Sequence, residues 1–421
     1  MAIQILLFVL RAIPILLCFS WIFGAVLFYW RRERACPVRP PARGPRPPIS
    51  IIVPCHNEEY TISRTIRSLD ALDYPDYEIL AVNDGSRDGT LAVLKTLART
   101  RPHLTIIDLP RNMGKAAALN AGIHASRRDY LVCMDADSEM DPNAPSWLIP
   151  HLTGAEGVAG VTGNPRVKNR GTLIGRIQVG EFSAIIGVIK RYHQVVGGLF
   201  ALSGVLVAFK KQALLEIGLL DTDCVTEDIA VTWKLQRAGW SVRYEPRALC
   251  DVLMPDTIRG LWRQRMRWAC GGFDVVGRHI DILSWKGRWP LKIILLEYAL
   301  SVTWAFLMPA LAVYGLGARD AAGTPLIVDW ISPVTWSVFL VGGLSLAQFA
   351  AGFWIHGRYE KNAGRFAYWA MWYPFLYWTL NSAVLLVGIP KVLFGRQPKF
   401  GTWASPDRGG LSYEATRTSG T

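Results

Sequence analysis

Ile49-Ser50-Ile51-Ile52-Val53-Pro54 runs directly into Cys55-His56-Asn57-Glu58. A short, mostly β-branched apolar run is the composition of a buried strand, and Pro, with no N–H to give a ladder, marks its end. Outward from it the chain repeats one alternation. A helical stretch spans about Glu58 to Leu72, and Tyr77 to Val82 is a second strand, stopped by Asn83-Asp84-Gly85-Ser86. Gly89 to Ala98 reads as helix, Leu104 to Leu109 as strand, and Gly114 to Ala125 as helix. Tyr130 to Met134 is a further strand, ending in Asp135-Ala136-Asp137. Repeated strand–helix units predict an α/β domain with a mostly parallel sheet covered by helices on both faces. Ligands of such sheets bind beyond the carboxyl ends of the strands, where this chain puts His56, Asn57, Glu58, Asp84, Asp135 and Asp137.

The chemistry of that rim is carried by acids. Neither G-x-G-x-x-G nor G-x-x-x-x-G-K-[ST] follows the first strand, which argues against a dinucleotide oxidoreductase or a P-loop ATPase. The D-x-D of Asp135 and Asp137 offers two carboxylates to a hard divalent ion, Mg²⁺ or Mn²⁺, as chemistry on a diphosphate requires. An exposed Asp-rich turn is the competing reading, and Asp84 before Gly85 has the same one. Lys115 follows Gly114, either as a solvated lysine at a helix start or as a cation facing a diphosphate there. Further on, Thr226-Glu227-Asp228 opens an amphipathic helix, so Thr226 as N-cap with two acids in the first turn is a complete structural account. Gln264-Arg265-Met266-Arg267-Trp268 comes just before the chain turns strongly apolar again.

Composition points to a membrane. Of 421 residues, 51% are hydrophobic and only 19% charged, where a soluble chain carries about 25% charged residues. Mean hydropathy is +0.21. Ala2 to Trp30 is almost continuously apolar, interrupted by Arg11 and Pro14, and about 20 residues suffice to cross the hydrocarbon. It lacks a basic n-region and is followed by Arg31-Arg32-Glu33-Arg34 instead of a small-residue cleavage site, so it reads as a retained span with its basic end in the cytoplasm. Residues 31–48, basic and rich in Pro, form a stiff linker. Residues 49–275 hold no spanning segment; the most apolar run, Val195 to Phe209, reads as buried core. From 276 to 396 come an interfacial segment and three apolar stretches, about Leu291 to Leu316, Pro325 to Ile355 and Phe366 to Phe394, and 397–421 is a tail. The seven Cys, an odd number without a C-x-x-C pair, fit a reducing compartment better than a disulfide framework. The net charge of +13 suits an anionic partner, but the basic residues concentrate at membrane flanks, which removes the need for nucleic acid. A transporter would cluster charges at mid-span, where only Arg11 and Glu297 fall.

In order along the chain, Pro54-Cys55-His56-Asn57-Glu58-Glu59, Asp84, Asp135-x-Asp137, Thr226-Glu227-Asp228 and the Q-x-x-R-W of Gln264, Arg267 and Trp268 resemble the membrane-embedded family 2 glycosyltransferases, among them cellulose, chitin and hyaluronan synthases. Val161-Thr162-Gly163-Asn164-Pro165-Arg166, Tyr244-Glu245-Pro246-Arg247 and the tail motif around Trp403 are similar to the bacterial poly-β-1,6-N-acetylglucosamine synthases in particular. The resemblance covers nearly the whole chain, although those relatives carry two N-terminal spans and this chain has room for one. It implies an α/β domain of the GT-A glycosyltransferase type flanked by transmembrane helices in a bacterial inner membrane. It implies a UDP-N-acetylglucosamine donor, a growing glycan chain as acceptor, and a processive inverting reaction. By position, Pro54, Glu58 and Asp84 would line the nucleoside pocket, Lys115 and Asp135 the diphosphate, and Asp135 with Asp137 the metal. Asp228 would be the catalytic base, with Glu227, Gln264, Arg267 and Trp268 at the acceptor and pyrophosphate. A small membrane partner subunit and activation by cyclic di-GMP are also implied; Arg259 and Arg263 have a spacing used for that dinucleotide, though a basic membrane-facing helix accounts for them equally. A chitin-like or hyaluronan-like synthase, or a single-transfer lipid glycosyltransferase, is the alternative.

Overall fold

The computed structural model describes residues 2–37, 40, 46–319, 323–325, 336–360, 362–370 and 373–395. The tail 397–421 with the motif at Trp403, residues 326–335, and residues 38–39 and 41–45 of the Pro-rich linker lie outside the described residues. The chain forms two compact units. One comprises residues 36–178 and 198–280, the other residues 1–35, 179–197 and 281–395. Residues 179–197, within the span 49–275, thus group with the apolar helices.

The first unit is built on a sheet of eight strands: β1 Ile49–Cys55, β2 Tyr77–Asp84, β3 Leu104–Leu109, β4 Tyr130–Met134, β5 Ser138–Met140, β6 Val158–Val167, β7 Leu206–Lys210 and β8 Ser241–Val252. Their order is β3-β2-β1-β4-β7-β6-β8-β5. The first four run parallel, β7 is antiparallel to both β4 and β6, and β8 returns parallel to β6. β1 is central and every residue of it is buried, which is why it reads as an unbroken apolar run and not as an alternation. Its odd residues Ile49, Ile51 and Val53 face one core with α2 (Ile62–Asp70) and α5 (Ala144–Thr153). Ile52 faces the other, with Leu119 and Ile123 of α4 (Lys115–Ala125) and Val231 and Leu235 of α9 (Glu227–Arg237). Helices therefore cover both faces, as the repeated units require.

Three details differ from the sequence reading. The helix after β1 begins at Ile62, because Glu58 and Thr61 form a turn in which the Glu58 carbonyl accepts from the Thr61 and Ile62 N–H groups. β2 runs on through Asn83 and Asp84, paired with Asp108 and Leu109 of β3, so Asp84 is a strand residue and Gly85 (φ +57°) makes the turn. The run Val195 to Phe209 divides: Val195 is exposed at the end of a helix, while Leu199, Leu202 and Val207 are buried in the sheet's second core and Leu206 in its first.

In the second unit, Ile5–Glu33 and Trp289–Gly317, 29 residues each, are long and apolar enough to cross a membrane. The stretches read at 325–355 and 366–394 contribute shorter apolar helices among the described residues, Leu340–His356 and Thr379–Phe394. The helix Gly187–Val196 packs here through polar anchors. Arg191 Nε donates to Glu33 Oε1 at 2.6 Å and Tyr359 Oη to Glu33 Oε2 at 2.8 Å. Glu297 accepts from Trp21 Nε1 at 2.9 Å and pairs with His193 Nε2 at 3.0 Å. Buried charges persist only when paired in this way, so the ladder fixes which faces of these helices meet.

Candidate active site

The parallel strands β1, β2 and β4 end on one rim. β7, running antiparallel, starts beside the end of β4, so the loop ahead of it lies against the D-x-D: the Asp135 N–H donates to the Val205 carbonyl at 3.3 Å. On this rim the structure brings four of the sequence candidates together. Lys115 Nζ, at the first residue of α4, is 2.5 Å from Asp135 Oδ1 and 3.1 Å from Glu227 Oε1. Asp228 lies next to Glu227 at the start of α9, its Oδ2 accepting from the Gly204 N–H at 3.2 Å and its Oδ1 from the Ile229 N–H at 2.9 Å. Gly204 is small for a reason: a Cβ there would come within 3.0 Å of Lys115 Nζ and 3.5 Å of Asp228 Oδ2.

The electrostatics follow from one ammonium set among several acids in a half-buried place. Desolvation, then the Glu227 charge, push the Asp228 carboxyl up to about 6, against the pull of Lys115 and the two N–H donors. Burial raises Asp135 as well, opposed by Lys115 and reinforced by Asp137 and Glu227. Burial alone would lower Lys115, but Asp135 and Glu227 overcome it and hold the ammonium above the ordinary lysine value. Asp137, half-buried beside Asp135, accepts from Ser138 Oγ at 3.4 Å. Among the described residues no three His, Cys, Asp or Glu side chains form a ready metal cage. Two hard carboxylates fit a cation that arrives with a diphosphate, since Mg²⁺ is commonly held by one or two carboxylates together with substrate phosphates. Asp135 and Asp137 are the pair that would hold it.

Asp84, 0% exposed, does a different job from a turn former. Its two oxygens accept the Met113 N–H at 2.7 Å and the Gly114 N–H at 2.9 Å, clamping the loop that delivers Lys115. Gly114 takes φ +92° in that clamp, a conformation glycine adopts freely. Burial raises the Asp84 pKa, offset by those amides and by His56. His56 Nδ1 meets the Asp84 carbonyl at 2.8 Å and its Nε2 meets Asn112 Nδ2 at 3.0 Å. Pro54 is buried in β1, and buried Glu58 accepts from Thr61 Oγ1 at 2.5 Å while its own N–H donates to Thr90 Oγ1.

The Q-x-x-R-W residues lie on α10 (Ile258–Arg278). This helix packs onto the Thr226-Glu227-Asp228 turn through Gly271, where a Cβ would strike Thr226 at 2.4 Å. Among the described residues the Thr226 side chain makes no cap bond and its buried hydroxyl finds no hydrogen-bond partner, so the N-cap account of this motif fails at the side chain. Arg265, which the sequence reading passed over, stacks its guanidinium on Trp268 at 4.2 Å. Gln264 Oε1 is buried with no hydrogen-bond partner among the described residues, and Arg267 is exposed. Among the described residues, no hydrogen bond or ion pair joins Gln264, Arg267 or Trp268 to the acidic cluster. Sequence reasoning also missed Asn112 and Gly204. The first had a signal, an Asn two residues before a Gly-Lys helix start; Gly204 acts through its backbone and had none.

Residues 45–271 match the model of the family described as "Glycosyltransferase like family 2". The chain is 36% identical over 402 residues to a poly-β-1,6-N-acetyl-D-glucosamine synthase of Staphylococcus epidermidis, covering 94% of this chain and 97% of the relative. The counterpart from Staphylococcus aureus strain COL is 36% identical over 404 residues, with the same coverage. Among solved structures, a mannosyltransferase from Pyrobaculum calidifontis, in complex with GDP-mannose and Mn²⁺, superposes with a TM-score of 0.60 at 24% identity. It covers 92% of this chain and 99% of that one, a likeness of fold: the α/β GT-A type.

Proposed function

The chain belongs to the family 2 glycosyltransferases, and from that premise we propose that it polymerises N-acetylglucosamine from UDP-N-acetylglucosamine into poly-β-1,6-N-acetylglucosamine, a biofilm exopolysaccharide, and moves it across a bacterial inner membrane. We assign the transferase domain to residues 49–275, facing the cytoplasm. The observation that carries the reading is the cluster of Asp135, Glu227 and Asp228 around Lys115 at the carboxyl ends of the sheet, in a chain similar over nearly its whole length to synthases of that polymer.

The roles follow from charge. A sugar hydroxyl is far too weak an acid to ionise at neutral pH, so a positioned carboxylate must take its proton as attack proceeds. Asp228 suits this: burial and the Glu227 charge push its carboxyl up to about 6, so it is ionised at neutral pH yet more basic than an ordinary Asp. The Gly204 N–H holds its oxygen in place. UDP leaves with its charge developing on the β-phosphate, and Lys115 is the ammonium at hand to meet it. A cation held by Asp135 and Asp137 would supply further neutralisation of that leaving group. Direct attack on an α-linked donor inverts the anomeric centre and leaves a β linkage. We assign Pro54, Glu58 and Asp84 to the nucleoside side, and Glu227, Gln264, Arg267 and Trp268 to the acceptor and pyrophosphate side, the Trp268 indole offering a flat face for a pyranose ring.

The test is to give membranes containing the chain labelled UDP-sugars one at a time and to digest the product with linkage-specific hydrolases. A β-1,6-linked N-acetylglucosamine polymer is expected; a product cut by chitinase, or a requirement for UDP-glucuronate, overturns the assignment. The small membrane partner and cyclic di-GMP belong to the same proposal, and adding each to the purified single chain tests them: activity should rise with both.

A further inference from the structure

Lys115 does more than wait for a diphosphate. Resting on the reading of this rim as the donor site, we propose that in the donor-free enzyme the Lys115 ammonium occupies the place a divalent cation needs, so that Mg²⁺ or Mn²⁺ enters only together with a nucleoside diphosphate.

Three observations converge on it. The ammonium sits 2.5 Å from Asp135 Oδ1, an oxygen of one of the two carboxylates that would hold a metal, and at the same time 3.1 Å from Glu227 Oε1. A dication bound to a carboxylate oxygen at about 2.0–2.1 Å cannot share that oxygen with an ammonium in contact without strong like-charge repulsion. The lysine is also delivered there by backbone, not by chance of side-chain rotation. Asp84 grips the Met113 and Gly114 amides on the two residues before it, and the Gly114 carbonyl accepts from Ala118 as α4 begins. Finally, Gly204 leaves the space the ammonium fills, since a Cβ there would come within 3.0 Å of Nζ.

A diphosphate changes this balance. It brings its own negative oxygens, to which Lys115 can turn, and Asp135 is then released to bind metal beside Asp137. The exchange makes and breaks ion pairs only. Its consequence is reciprocal: nucleotide tightens metal, and metal tightens nucleotide, by the same factor. The device keeps a four-acid rim from collecting free cations in an unproductive geometry.

The experiment uses the full chain in detergent or nanodiscs and counts free Mn²⁺ by its paramagnetic resonance signal, with and without UDP. In the wild type, saturating UDP should tighten Mn²⁺ at least about tenfold. Lys115→Met should bind Mn²⁺ without UDP at least about fivefold more tightly than the wild type, and the gain on adding UDP should shrink. Lys115→Arg, which keeps the cation, should restore weak donor-free binding; Lys115→Gln replaces the Met variant if that one does not fold. Equal Mn²⁺ affinity in wild type and the neutral variant without UDP overturns the proposal, as does wild-type affinity indifferent to UDP. No sugar is transferred in this measurement, so a donor other than UDP-N-acetylglucosamine would refute the functional reading and leave this one standing.

Discussion

Asp228→Asn separates the catalytic role of this carboxylate from any structural one. Asn has nearly the same shape and keeps one acceptor oxygen, so it can hold either the Gly204 or the Ile229 N–H but not both. Losing one such bond costs about 0.5–1.5 kcal/mol. Against that, removing the charge relieves repulsion from Glu227, the second-largest cause of the raised Asp228 pKa. The stability change should therefore stay within about 1 kcal/mol. Transfer is another matter, because an amide cannot take the acceptor proton at useful basicity. General-base catalysis contributes about 10²- to 10⁴-fold, so polymer synthesis should fall by at least about a hundredfold, or roughly 2.7 kcal/mol of barrier. The assay is incorporation of labelled N-acetylglucosamine into membrane product, with UDP binding and the melting temperature of the detergent-solubilised chain as controls. Wild-type turnover should fall as pH drops through about 6, since the active form is the ionised one and Asp228 is protonated below that point. Synthesis by the variant within a few-fold of wild type, with no change in the acid limb, would refute the reasoning and leave Glu227 as the next candidate.

Asp137→Ala should abolish synthesis and weaken Mn²⁺-dependent UDP binding, measured by calorimetry; unchanged metal-dependent affinity in a folded variant would return the D-x-D to the turn reading. Gly204→Ala should lower turnover several-fold with little loss of stability, because the new Cβ displaces the Lys115 ammonium by a few tenths of an ångström, and a wild-type rate would show that the close approach does not matter. Glu33→Ala leaves the Arg191 guanidinium, 1% exposed, without its carboxylate, at a cost of about 3–5 kcal/mol. A clear drop in melting temperature of the solubilised chain is expected, and an unchanged one would mean that Arg191 finds other partners.

The strands and helices from Ile49 to Met134 were legible because each obeys a local rule: β-branched runs for strands, a Gly-Lys start for α4, and turn residues between them. Their order in the sheet was legible only in part. The repeat of parallel units implies β1 to β4, whereas the antiparallel entry of β7 beside β4 depends on a partner more than seventy residues away and leaves no periodic trace. That strand is what brings Gly204 to Asp228, so the backbone donor that reaches the candidate base from outside its own helix was the least visible part of the site. Residues 179–197 show the same limit: nothing local in Arg191 or His193 announces Glu33 and Glu297, which lie far off in the chain.

The acids themselves were visible, but their division of labour was not. Sequence alone set Asp84 and Asp135 side by side as strand-end carboxylates with the same competing turn explanation. Burial distinguishes them. Asp84 spends both oxygens on backbone amides and is sealed from solvent, so its charge is consumed in shaping the loop that carries Lys115. Asp135 answers to a side-chain ammonium that a phosphate can draw away, so its charge remains exchangeable. A carboxylate committed to amides positions, and a carboxylate paired with a side-chain cation can be released to a ligand. On that ground, Asp84→Asn should disturb donor binding through the geometry of Lys115 as much as through any contact with the base. Measured with Mn²⁺ alone, the variant should resemble Lys115→Met; donor-free Mn²⁺ binding at the wild-type level would show that the loop holds its lysine without the clamp.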